Sequence, residues 1–178
     1  MTLHDLYQRP GFLLRRTHQI SAAVFENACA TVGLTPAQYG VLTVLASEPG
    51  LDQTRLARAL AFDKVTVMRV LRGLEERGLV ERRVSEHSRR QMAVALTPQG
   101  ARLLQQAKEP AEQAYQRLLS PLTLPQRRQL ITLLQTLTDG LADEARAPFV
   151  PLETEPEAKP ARTKPGRATR PARTRAPR

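Results

Sequence analysis

Lys64, Val65, Thr66 and Arg69 stand within six consecutive positions at the start of a segment, residues 63–77, that closes at Gly78. Read as a helix, that segment puts Val67, Val70, Leu71 and Leu74 on one face at i, i+3, i+4 and i+7. Val65, Arg69, Arg72 and Glu76 fall on the opposite arc, with Thr66 beside them. The outer residue types suit a duplex nucleic acid. A guanidinium at 69 matches the two acceptors of a guanine edge, Val65 matches a thymine methyl, and Thr66 reaches a base or a phosphate. Lys64 falls in the first turn, where amides and the helix dipole also favour phosphate. Upstream, Gln53, Thr54 and Arg55 are types that contact a nucleic-acid backbone. Downstream, residues 85–90 read SEHSRR, and Arg89 and Arg90 at a hairpin tip suit the focused negative potential of a narrow minor groove.

Other chemistries find little support. His4, His18 and His87 are far apart and no cysteine partners them at ligand spacing, so neither a metal nor another cofactor is expected. No nucleophile–base set stands out, and a Gly-rich phosphate loop is absent, so an enzyme is not expected. Cys29 is the single cysteine, which excludes an internal disulfide and fits a reducing cytoplasm. Phe25, Glu26, Ala28 and Ala30 around it supply no cation to lower its pKa. It reads as a small buried hydrophobe rather than a redox switch.

The chain carries a net charge of +10 over 178 residues. Residues 158–178 hold eight cations and no acid, so residues 1–157 carry only +2. The basic character is therefore mostly a property of the tail, and the segment around Arg69 must select its partner through a few placed residues. The start of the chain lacks a basic stretch followed by an apolar one, and no apolar run approaches the roughly 18 residues that span a bilayer. Neither a leader nor a membrane partner is expected.

The elements that must position these residues are mainly helical. A first helix is expected over 12–31, opened by Pro10-Gly11 and ended by Gly33. Thr35-Pro36-Ala37-Gln38 is a capping box for a second, reaching Ser47. Asp52 caps a third over 53–60, and Asp63 caps the segment over 63–77. Val80, Arg82 and Val84 alternate in one strand, and Met92, Val94 and Leu96 in its partner. Thr97-Pro98 opens a fifth helix, with Leu104, Ala107, Ala111, Ala114 and Leu118 on a narrow seam and Pro110 expected to kink it. Thr123-Leu124-Pro125-Gln126 opens a sixth, with Leu130, Leu133, Leu134, Leu137 and Leu141 on one face. The fold class is thus mainly α: six helices and one β-hairpin wing, a winged helix-turn-helix on a helical dimerisation platform.

That order, with GLVERRVSEHSRRQMAVALTPQG after the candidate recognition helix, resembles the MarR family of bacterial transcription regulators over roughly residues 10–145. The resemblance implies a homodimer joined through its first and last helices, each copy presenting one winged helix-turn-helix to a pseudo-palindromic operator. It implies that Arg89 is the wing-tip minor-groove arginine and Arg90 its neighbour. The family usually has Asp before that pair, to orient it through a charge-assisted bond, whereas this chain has Ser88. It also implies a small aromatic or phenolic anion as effector, as in the subgroup that represses aromatic-acid and nicotinate catabolism. Arg15, Arg16 and His18 beside Phe12, with Tyr39 on the next helix, are the candidate ligand residues, since guanidinium, imidazole and phenol over apolar walls suit an aromatic carboxylate. Arg15 and Arg16 pairing acids across an interface, and His18 as a core histidine, are the alternatives.

The expected organisation is a platform helix in 1–34, the DNA-binding domain in 35–100, platform helices in 101–146 and a disordered basic Pro/Arg-rich tail in 147–178. The function expected is a sequence-specific, cytoplasmic transcription repressor released by a small aromatic acid. Two other readings are a nucleoid-type protein dominated by its basic tail, and a regulator sensing oxidants through Cys29.

Overall fold

The structure, a computed structural model, describes residues 2–85 and 88–152. Seven α-helices and one hairpin follow in the order α1 (Leu3–Tyr7), α2 (Pro10–Ala28), α3 (Pro36–Ser47), α4 (Gln53–Ala59), α5 (Lys64–Glu76), β1 (Val80–Ser85), β2 (Ser88–Leu96), α6 (Pro98–Leu119) and α7 (Leu124–Gly140), with a 3-10 turn at Ala142–Glu144. The mainly α winged-helix architecture is as expected, with one helix more. The addition is α1, five residues started by a Thr2–Asp5 capping box, too short for any periodicity to reveal. Pro10 takes the first helical position of α2, so that helix begins earlier than residue 12. α6 continues as one helical element through Pro110.

One core holds α3, α4, α5 and the hairpin together as a unit, the head. Val41, Leu42 and Leu45 of α3, Leu56 of α4, and Val67, Val70, Leu71 and Leu74 of α5 are buried against Leu51, Leu79, Val80 and Val94. The 3.6-residue spacing of the four α5 residues is the direct cause. Leu104 and Ala107 of α6 enter the same core, so the head borrows its lower wall from the long helix beyond residue 100. A second, smaller cluster joins α2 to α6 through Phe25, Cys29, Ala111 and Ala114. The alanines of the seam let the two helices approach closely.

The hairpin is antiparallel, pairing Val80 with Leu96 and Arg82 with Val94, and its register shifts between Val84 and Ser85. Its base is buried and its outer part stands clear, with Val84 and Met92 exposed. The base is pinned to α6. The Thr97 hydroxyl donates to Gly78 O at 2.7 Å, and a Cβ on Gly100 would lie 2.1 Å from Leu79 O, so only glycine fits there.

α7 has no buried residue, and Leu133, Leu137 and Leu141 are more than half exposed. Residues 147–152, expected as the first part of a disordered tail, instead lie against the head: the Val150 amide donates to Arg58 O at 3.1 Å and Leu152 packs on the core. One backbone hydrogen bond and one apolar side chain tie this stretch to the head. The remainder of the expected tail lies outside the described residues.

Candidate nucleic-acid interface

The start of α5 is set by Asp63, whose carboxylate accepts the Thr66 amide at 2.7 Å. The same hydrogen bond holds the Asp63 carboxyl below the usual aspartate range, with the Arg69 charge a lesser cause. Asp52 caps α4 in the same way, accepting from the amides of Thr54 and Arg55 at 2.8 Å each. The turn between the two helices holds Ala61 in the left-handed region at φ 51°, a conformation that costs any residue with a Cβ. It brings the beginnings of α4 and α5 to one edge, where Gln53, Thr54 and Lys64 line a common cleft.

With its apolar face in the core, α5 turns the other outward. Val65 is 75 % exposed, and Lys64 and Arg69 are exposed and form no ion pair among the described residues. The remaining charges of this helix are engaged. Arg72 pairs with Glu76 at 2.9 Å, and Glu75 accepts from Arg82 of β1 at 2.6 Å, tying the helix end to the hairpin. Arg83 pairs with Glu81. Thus Lys64, Val65, Thr66 and Arg69 share the leading half of α5, the half that enters a major groove in helix-turn-helix readers. Arg89 and Arg90 lie on the β2 backbone, next to the hairpin tip, and their side chains, with that of Ser88, are outside the described residues.

Arg77, at the end of α5, donates to Gly33 O at 2.7 Å and Val32 O at 3.0 Å. These two bonds join the end of α5 to the turn that follows α2. Nothing in the local pattern announces a contact between residues more than forty positions apart.

The candidate ligand residues do not converge. His18 lines an apolar groove of about 960 Å³ with Leu14, Thr17 and Ser21 of α2, Tyr115 of α6 and Leu134 of α7. Arg15 leans over Phe12, 5.2 Å from the ring centroid, and donates to Gln19, while Arg16 is exposed. Neither arginine lines the groove. Tyr39 sits below it, its ring 5.5 Å from that of Phe25, which in turn lies 6.0 Å from that of Tyr115. Sequence reading missed Tyr115, whose only signal is an aromatic one step from the Ala114 seam. Burial pushes its phenol pKa up, and Tyr39 and Cys29 add to the effect.

Cys29 is fully buried, and desolvation pushes its thiol up as well. The thiolate needed for peroxide chemistry is therefore disfavoured, in keeping with the small buried hydrophobe expected at this position. No helix among the described residues is long and apolar enough to cross a membrane.

Comparison with known proteins agrees with this geometry. A model of the MarR family matches residues 32–91. A putative transcriptional regulatory protein for the hcr operon of Thauera aromatica is 35 % identical over 128 residues, covering 71 % of this chain and 77 % of its own. The structure is similar to that of Bordetella bronchiseptica BpsR, whose DNA binding is regulated by 6-hydroxynicotinic acid. The identity is 31 % and the TM-score 0.70, over 75 % of this chain and 95 % of that one. It is also similar to the transcriptional repressor CouR bound to a 23-mer DNA duplex, at 32 % identity and TM-score 0.69, over 78 % and 98 % of the two chains.

Proposed function

The chain belongs to the MarR family of transcription regulators, and from that premise we propose that it works as a homodimeric repressor released by a small aromatic carboxylate. It is a regulator and not an enzyme. The observation that carries the reading is the division of α5: four buried apolar residues on one side, and Lys64, Val65 and Arg69 on the other, exposed and free of ion pairs among the described residues. In this reading Arg69 and Val65 meet base edges, Lys64, Thr66, Gln53 and Thr54 hold the phosphates, and Arg89 with Arg90 reach the adjacent minor groove. Two copies place their α5 helices about one helical turn of DNA apart.

The platform formed by α2, the outer half of α6 and α7 supports the dimer, because its leucines are exposed in the single chain. The effector site lies in the groove at His18 and Tyr115. Arg15 or Arg16 supplies the counter-charge for a carboxylate after a rotamer change, and Tyr39 backs the aromatic wall. Binding there favours a spacing of the two α5 helices that DNA does not accept, a population shift that requires tighter ligand binding to the DNA-incompetent form.

The test is a gel shift on promoter DNA from the chain's own gene, with random duplex as competitor and a panel of aromatic carboxylates. A complex that survives the competitor and is released by one panel member is expected. No preference over random duplex would overturn the regulator reading, and a preferred complex that no member releases would overturn the effector.

A further inference from the structure

The segment that returns from α7 to the head has the chemistry of a second DNA contact. After the 3-10 turn, Arg146, Ala147 and Pro148 form one wall of a cleft of about 550 Å³ whose other wall includes Gln53, Thr54, Arg58 and Lys64. The segment is anchored just beyond, by the bond from the Val150 amide to Arg58 O and by Leu152 on the head core. Behind it, Arg55 and Arg58 line a further cleft against Val150 and Leu152. Three cations of the head, Arg55, Arg58 and Lys64, therefore flank one short strap that carries a fourth, Arg146. The acids lining the two clefts are Asp63, whose carboxylate is occupied by the Thr66 amide, and Glu48 on the far side.

We propose that Arg146, held by this strap, binds a DNA backbone phosphate together with Arg58 and Lys64. The inference rests on the regulator reading, because the cleft shares Gln53, Thr54 and Lys64 with the proposed reading surface. That continuity selects DNA over another polyanion. A phosphate contact of this kind adds affinity through counterion release without reading sequence.

The experiment measures binding of operator and random duplex from about 50 to 200 mM salt, a range over which phosphate contacts dominate the change in affinity. Full-length chain and Arg146→Ala are compared. Arg146 is exposed, so its removal leaves the core intact. Arg146→Ala is expected to reduce the slope of log K against log salt by about 1 on both duplexes, with the operator preference kept. An unchanged slope for Arg146→Ala overturns the phosphate contact. A loss confined to operator would make Arg146 a base contact and also overturns the proposal. Absence of operator preference in the full chain is a separate outcome, which removes the regulator reading itself.

Discussion

The reading head and the platform are built from the same residue, leucine, with opposite results. Leu42, Leu56, Leu71 and Leu74 of the head have no exposed surface, whereas Leu133 and Leu137 of the platform are 54 % and 52 % exposed. The head closes its core within one copy, taking a wall from α6. The platform helix α7 buries no residue, and much of its apolar face stays exposed among the described residues. A change in a head leucine is therefore a change in folding, whereas in the proposed homodimer a change in a platform leucine is a change in assembly.

The largest effect that would break this contrast is on assembly. On the proposed homodimer, Leu137→Asp separates the copies, because a buried carboxylate would face apolar surface. Sedimentation should show the single-copy mass with helicity retained, and operator affinity should fall roughly 10²–10⁴-fold as the second half-site ceases to be intramolecular. A variant that stays dimeric would remove α7 from the interface. Leu71→Ala does the opposite: it should destabilise the fold by about 2–5 kcal/mol through transfer and cavity terms, read by denaturant unfolding, with the surviving folded protein still associating.

Arg69→Ala should leave both assembly and folding intact and cost about 1–3 kcal/mol on operator, with little change on random duplex. Equal weakening on both would make Arg69 a phosphate contact. The smallest effect concerns Asp63. Its folded pKa lies below the ordinary value of 3.8, so its stabilisation of the α5 start is complete above that value and is lost as pH falls through the lowered pKa. The Thr66 amide resonance should follow this titration in acid, and Asp63→Ala should abolish it.

The head was legible in sequence because burial there follows a local period. Val67, Val70, Leu71 and Leu74 announce a helix face, and Asp52 and Asp63 announce where α4 and α5 begin. The seam of α7 was equally legible as a pattern, but a pattern does not name the surface that covers it. Contacts between distant positions were not legible. Val150 reaches Arg58 from within a proline-rich stretch whose composition hides two anchoring residues, and Tyr115 meets Phe25 only because α2 and α6 pack together. The candidate ligand residues show the same limit: helical spacing put Arg15 and His18 on neighbouring positions, yet Arg15 turns toward Phe12 while His18 lines the groove.

Arg77 holds the turn after α2 to the end of α5 through two carbonyls. If an effector acts on α2 through that clamp, thermodynamic reciprocity applies to it. The factor by which the effector weakens operator binding must equal the factor by which operator weakens effector binding. Titrating the effector with and without duplex would measure the coupling from either end, and Arg77→Ala should bring both factors toward one together.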